Sequence, residues 1–111
     1  MNETVRWTVV GDLSEWPPET GRRVQVGARR IGVFHHGGAW YALKDVCPHA
    51  GVALTGGPLN DGTVRCPAHG WRFRLSDGEL AEPQAVNARP GTFSVATYPV
   101  RINAGKVEVG L

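Results

Sequence analysis

The segments CPHAG (residues 47–51) and CPAHGWRF (residues 66–73) each place a cysteine and a histidine on a short stretch that also holds proline and glycine. Proline stiffens such a turn and glycine takes backbone angles that other residues avoid, so a thiolate and an imidazole can point at the same ion. Two soft and two borderline ligands suit zinc or iron–sulfur chemistry better than magnesium or calcium, because those cations prefer oxygen. The candidate ligands are Cys47, His49, Cys66 and His69.

The mixture of ligand types within each segment bears on the choice of metal. Zinc fingers and zinc ribbons usually place two cysteines in one knuckle and two histidines or two cysteines in the other. An asymmetric two-iron cluster needs a mixed set, because one iron can take both thiolates and the other both imidazoles. A mononuclear zinc site stays open as an alternative, as does a disulfide or a simple pair of buried cysteines.

Length and composition limit the fold. The chain has 111 residues, which suits one domain and leaves no room for a second, catalytic one. Gly or Pro interrupts nearly every window, so no helical stripe of apolar residues persists. With only two cysteines the chain is not a disulfide-rich scaffold, and no apolar run approaches the ~18 residues of a membrane helix. We expect a single all-β domain over residues 1–111.

Alternating and β-branched runs predict a small antiparallel β-sandwich or barrel. Turn signals are expected at three places, residues 35–38, 76–78 and 103–105. The stretch from Lys44 to Asp61 is longer than a compact domain usually tolerates, which indicates a functional loop. The predicted strands lie at residues 4–10, 24–26, 31–34, 39–43, 63–66, 71–75, 93–102 and 106–109.

The spacing C-x-H and then C-x-x-H, with a glycine close behind each, resembles the Rieske [2Fe–2S] signature, and the two segments resemble those of bacterial Rieske-type ferredoxins. The resemblance covers about Trp7 to Val109. It implies a Rieske-type β fold in which the loops at about 44–61 and 65–75 form a cluster-binding subdomain. It further implies one [2Fe–2S] cluster, its inner iron held by Cys47 and Cys66 and its outer iron held through Nδ1 of His49 and His69.

A third loop in this family carries a proline that covers the cluster. Pro83 and Pro90 are both available for that position, and the spacing favours Pro83.

Departures from the high-potential Rieske proteins of cytochrome bc complexes concern four positions. Those proteins carry one extra cysteine in each loop, joined as a disulfide, where this chain has Val52 and Ala68. They also place a Ser and a Tyr hydroxyl near the cluster, where this chain has Trp71 and Phe73. Fewer hydrogen bonds to the sulfurs leave the reduced cluster less stabilised, so we expect a reduction potential toward the lower end of the Rieske range. Trp71 and Phe73 are expected to be core residues of their strand.

The resemblance implies a one-electron carrier that performs no bond chemistry itself. It would accept an electron from a flavin-dependent reductase and pass it to an oxygenase or similar enzyme. An alternative within the same fold is the small accessory subunit of an NAD(P)H-dependent nitrite reductase. A more remote alternative is a structural zinc module.

The charges are unevenly placed, although the net charge is only +2. Between Gly21 and Leu75 there are eight Arg or Lys residues against two acids. These charges are either a docking face for an acidic redox partner or an ordinary solvated face. The arginines concerned are Arg22, Arg23, Arg29, Arg30, Arg65, Arg72 and Arg74.

Other partners and sites are not expected. The small net charge and the lack of a binding motif argue against nucleic acid. The N-terminal residues resemble neither a secretory signal nor a transit peptide, so we expect a cytoplasmic protein that does not bind a membrane. His35 and His36 lie at a predicted turn and are interpreted as turn or surface histidines rather than ligands.

Overall fold

The computed structural model describes residues 5–48, 51–68, 70–81 and 94–111. Within them the chain is nearly all β, as the sequence predicts, with every strand pair antiparallel. A single 3₁₀ turn, Leu13–Glu15, is the one helical element of this described part, and it is far too short to cross a membrane. The strands are β1 Trp7–Asp12, β2 Thr20–Val26, β3 Arg29–His36, β4 Ala39–Lys44, β5 Leu59–Asn60, β6 Thr63–Arg65, β7 Arg72–Arg74, β8 Thr97–Tyr98, β9 Val100–Asn103 and β10 Lys106–Gly110.

The strands form three sheets, ordered β1-β10-β9, β2-β3-β4-β8 and β5-β6-β7. Two hydrophobic cores lie between them. The first core joins the first two sheets and contains Trp16, Ile31, Val33, Ala42, Val107 and Val109. The second core joins the middle sheet to the small third sheet and contains both cysteines; its members are Phe34, Leu43, Cys47, Leu54, Val64, Cys66, Trp71, Phe73, Leu75 and Val95.

Strand β3 belongs to both cores. Side chains alternate between the two faces of a strand, so Ile31 and Val33 enter the first core while Phe34 enters the second. Gly32 lies on the same face as Phe34, and a Cβ at this position would stand 2.7 Å from the Thr55 methyl group. The missing side chain therefore lets the loop after β4 pack directly on the middle sheet.

The turn expected at residues 35–38 is shorter than predicted. Strand β3 continues through His36, and only Gly37 and Gly38 form the turn, with φ of 60° and 80°. The turn expected at 103–105 likewise contains only two residues with positive φ between its strands, Ala104 and Gly105. Two-residue turns with both φ positive match the right-handed twist of the flanking strands, which explains the tighter geometry.

Two predicted strands and one predicted loop also differ from the structure. Strand β2 begins at Thr20 rather than Val24, because residues 20–23 pair with the second half of β3, from Gly32 to His35. The predicted strand 93–102 is divided at Pro99 into β8, which pairs with β4, and β9, which pairs with β10. The first residues of the predicted strands 93–102 and 4–10, Phe93 and Thr4, lie outside the described residues. The predicted loop 44–61 ends in a strand, β5.

Candidate metal centre

Each cysteine opens a turn with the same backbone hydrogen bonds. The Cys47 N–H donates to the Val52 carbonyl at 2.7 Å, and the Gly51 N–H donates back to the Cys47 carbonyl at 2.7 Å. The Cys66 N–H donates to the Trp71 carbonyl at 2.6 Å, and the Gly70 N–H donates to the Cys66 carbonyl at 2.9 Å. Both glycines have left-handed φ, 72° and 80°. The two segments therefore present their first residue in equivalent positions.

A third turn has the same pattern without any candidate ligand. The Arg74 N–H donates to the Glu79 carbonyl at 2.8 Å, and the Gly78 N–H donates to the Arg74 carbonyl at 2.8 Å, with a Gly78 φ of 75°. The turn at residues 76–78 that the sequence predicts is confirmed. This turn shares its left-handed glycine with the two cysteine turns, and Asp77 supports it by accepting hydrogen bonds from Arg74 and from the Glu79 N–H.

Cys47 and Cys66 are 0% and 1% exposed and lie in the same core. Both belong to the described part of the chain, and no disulfide joins them. The disulfide alternative is therefore wrong for this structure. Two buried thiols on equivalent turns, each followed within three residues by a histidine in the sequence, form a donor set that fits a [2Fe–2S] group with mixed ligands.

The remaining predicted site residues lie outside the described residues. These are His49 and His69 and, in the third loop, Pro83 and Pro90. Within the part of the chain that is described, no three His, Cys, Asp or Glu side chains converge on a metal position. The assignment of the two histidines as ligands therefore stays a prediction.

Asp45 is a site residue that sequence reasoning missed. Its side chain is fully buried, and Oδ1 accepts hydrogen bonds from the backbone N–H groups of Leu54 at 2.7 Å and Thr55 at 2.9 Å. Its Oδ2 accepts from the Thr55 hydroxyl at 2.8 Å and from Arg23 Nε at 2.7 Å. The carboxylate thus joins the chain before Cys47 to the chain that follows the first cysteine turn, at Leu54 and Thr55. The only signal in the sequence is that Asp45 is one of two acids in the basic stretch 21–75.

Gly57 brings the first loop against the second. A Cβ on Gly57 would stand 1.7 Å from the Arg65 carbonyl oxygen, so only glycine fits without displacement of the backbone. The Arg65 N–H donates to the Pro58 carbonyl at 3.0 Å in the same region. Arg65 immediately precedes Cys66. This contact therefore fixes the position at which the second cysteine turn begins, relative to the end of the first loop.

The four positions that differ from high-potential Rieske proteins are all described. Val52 and Ala68 are exposed and cannot form a disulfide, whereas Trp71 and Phe73 are 8% and 0% exposed. The prediction that both aromatic residues belong to the core is confirmed. Neither side chain carries a hydroxyl group that could donate to a sulfur.

His36 links the main body to the third sheet, and its interpretation as a turn or surface residue is wrong. Its Nε2 accepts the Gly62 N–H at 2.9 Å, so the ring proton is on Nδ1, which lies 2.5 Å from Glu19 Oε1. The hydrogen bond from the Gly37 N–H, and secondly that of the His36 ring, lower the pKa of Glu19 below its ordinary value of 4.5.

His35 is also structural. It stacks on Trp40 with 4.2 Å between ring centroids, and its Nδ1 lies 2.9 Å from the Trp16 carbonyl oxygen.

An all-β fold with two buried cysteines on equivalent glycine turns is typical of a small protein that binds an iron–sulfur cluster. The Rieske [2Fe-2S] domain family matches residues 6–99, and the chain belongs to this family. Its cofactor is accordingly one Rieske-type [2Fe–2S] cluster.

Relatives include Ferredoxin CarAc of Metapseudomonas resinovorans, 33% identical over 93% of this chain and 92% of the relative. The anthranilate 1,2-dioxygenase ferredoxin subunit of Burkholderia cepacia is 31% identical over 95% of this chain and 92% of the relative.

Two solved structures extend the comparison. A chain in the complex of reduced oxygenase and oxidized ferredoxin of carbazole 1,9a-dioxygenase superposes with a TM-score of 0.79 at 32% identity, over 93% of this chain and 91% of that chain. A Mycobacterium tuberculosis protein assigned as the small subunit of an NADH-dependent nitrite reductase has a TM-score of 0.83 at 23% identity, over 98% and 97% of the chains. At that identity the second likeness shows the fold alone.

Proposed function

We propose that this protein is a Rieske-type ferredoxin that carries one electron from a flavin-dependent reductase to an oxygenase. The observation that carries the proposal is the pair of buried cysteines on equivalent turns in a chain of this family. Support for the acceptor comes from relatives that are ferredoxin components of dioxygenase systems and are matched over nearly their whole length. The nitrite reductase alternative has only the likeness of fold in its favour.

The ligand roles are those that the membership of the Rieske family implies. Cys47 and Cys66 would hold the inner iron as thiolates, and their burial keeps water away from the sulfurs. His49 and His69 would hold the outer iron through Nδ1 as neutral imidazoles, which add no negative charge and so make reduction easier than four thiolates would. When bound, the [2Fe–2S] group supplies a site that takes up and releases one electron. The chain's own part is to hold, orient and shield this site.

The proposal also includes the activity, the domain organisation and the location of the chain. The chain acts as a carrier and catalyses no reaction of its own. Residues 1–111 form a single Rieske domain, which is supported by a family match that spans residues 6–99. The protein works in the cytoplasm, where its reductase and oxygenase partners would be found.

The decisive experiment is spectroscopic. The purified protein should be red-brown and contain two irons per chain, and after dithionite reduction it should give a rhombic EPR signal with a low average g value. Colourless protein that contains one zinc ion would instead establish the structural zinc module and overturn the proposal.

The histidine ligands are tested by substitution. His49→Cys and His69→Cys should each lower the reduction potential, provided that the group still assembles, because a thiolate adds negative charge. His35→Gln is the matched control, since His35 contacts Trp16 and Trp40 in the main body. An unchanged potential in either cysteine variant with an intact EPR signal would remove that histidine from the ligand set.

A further inference from the structure

The structure divides the cations of the basic stretch into two groups. Some are neutralised: Arg22 pairs with Glu15, Arg23 with Asp45 and Arg74 with Asp77, each at 2.7 Å. Three others that lie together form no ion pair with any residue that the structure describes. They are Arg29, Arg30 and Lys44, all exposed.

These three cations line one cleft of about 480 Å³. The cleft lies where the start of β3 and the end of β4 meet β8, and Tyr98 and Ala96 form its opposite side. Among the described residues that line it, Asp45 is the one acid, and both of its carboxylate oxygens are already bonded to Arg23, Leu54 and Thr55. The cleft therefore presents three positive charges to solvent that no carboxylate in the described part of the chain neutralises.

The cleft continues to the first cysteine turn. A neighbouring depression of about 400 Å³ shares Lys44, Val46 and Ala96 with it and reaches Pro48. Pro48 directly follows Cys47 in the chain. A molecule that occupied the cleft would thus lie beside the segment that holds the inner iron ligand.

We propose that this cleft binds acidic side chains on the surface of the redox protein partner and so places that partner beside the first cysteine turn. The inference rests on the proposed function, because only an electron carrier needs such a partner. Carboxylates would supply the charges that the three cations lack, and such complementarity speeds encounter between proteins and fixes their orientation. Exposed charges act over about 10 Å at 0.1 M salt, so binding should weaken as salt is added.

The test uses the cluster-loaded, oxidised protein and a synthetic hexaglutamate peptide as the acidic probe, at low salt. Amide resonances of ¹⁵N-labelled protein should shift around Arg29, Lys44 and Ala96, and hexaglutamine should cause no shift. Neutralising the cleft with R29Q/R30Q/K44Q should weaken the affinity about tenfold or more, as expected for loss of close charge pairs.

The matched control is R22Q/R74Q/K106Q, which removes the same net charge from exposed cations that pair with Glu15, Asp77 and Asp12 outside the cleft. It should change the affinity by no more than about twofold, because these cations lie outside the cleft and their own carboxylates already neutralise them. Equal weakening in both triple variants, or shifts spread over the whole surface, would reduce the effect to net charge and overturn the proposal.

Two other outcomes also overturn it. If inorganic phosphate bound as tightly as hexaglutamate, the cleft would be a site for small anions and not for a protein partner. If no amide resonance of the cleft residues shifted, the cleft would not bind acidic side chains. Neither result would contradict the proposal that the protein is an electron carrier, because the EPR signal of the same sample tests that proposal separately.

Discussion

The Asp45 carboxylate accepts a 2.7 Å hydrogen bond from the backbone N–H of Leu54, which ties the chain before Cys47 to the chain after the first cysteine turn. The same oxygen accepts from the Thr55 N–H, and the other oxygen is paired with Arg23. The Asp45 side chain therefore joins the two ends of the first loop, in addition to the backbone hydrogen bond from Cys47 to Val52 inside it.

Asp45→Ala should destabilise the protein by about 3 kcal/mol or more, because it leaves buried backbone donors and Arg23 without their acceptor. Asp45→Asn should cost less than alanine, since its amide oxygen still accepts from the Leu54 and Thr55 N–H groups, although its NH₂ group cannot accept from Arg23. Thr55→Val, which removes one hydrogen bond, should cost about 1 kcal/mol. Urea unfolding followed by circular dichroism measures all three. Equal stability of the alanine and valine variants would show that the carboxylate does not close the loop.

The Glu19 carboxyl should make stability depend on pH on the acid side. The Gly37 N–H and His36 lower its pKa in the folded protein. A carboxyl with a lowered folded pKa contributes stability that is complete above its ordinary value of 4.5 and is lost as the pH falls through the folded value. Glu19→Gln should therefore lower the melting temperature near neutral pH and flatten its decline between about pH 5 and pH 3.

Asp61→Asn is the control for this prediction, because Asp61 is exposed and has no ion pair within the described part of the chain. Parallel curves for wild type and Glu19→Gln over the acid range would contradict the assignment.

The features that the sequence predicts correctly depend on near neighbours. Each cysteine turn has its left-handed glycine four positions after the cysteine, and the alternation of Trp71, Phe73 and Leu75 with exposed Arg74 is visible in a few residues. The features that it misses join distant positions. Asp45 meets Arg23 across 22 residues and His36 meets Gly62 across 26, and no local pattern indicates such a pairing.

The reduction potential should lie toward the lower end of the Rieske range, nearer to about −150 mV than to +300 mV. Val52 and Ala68 exclude the bracing disulfide, and Trp71 and Phe73 offer no hydroxyl to the sulfurs. Protein-film voltammetry at neutral pH measures the value. Phe73→Tyr should raise it by restoring a hydroxyl at that position, while Phe73→Leu serves as the control without one. A wild-type potential well above zero would show that hydrogen bonds at these positions do not set it.

Gly56 and Gly57 provide a matched pair for the contact between the two loops. A Cβ on Gly57 would stand 1.7 Å from the Arg65 carbonyl oxygen, whereas a Cβ on Gly56 would meet nothing within 4 Å. Gly57→Ala should therefore destabilise the protein by about 1–3 kcal/mol or more, because backbone atoms and not a flexible side chain must move. Gly56→Ala should change stability by less than about 0.5 kcal/mol.

The displaced backbone in Gly57→Ala belongs to Arg65, the residue before Cys66, so this variant should also lose its visible absorbance faster than wild type when heated. Gly56→Ala should keep the wild-type rate, since its added methyl group points into open space. Absorbance decay at a fixed temperature compares the three proteins directly. If Gly57→Ala retained iron as long as Gly56→Ala, the packing of Gly57 against Arg65 would have no part in holding the second cysteine turn.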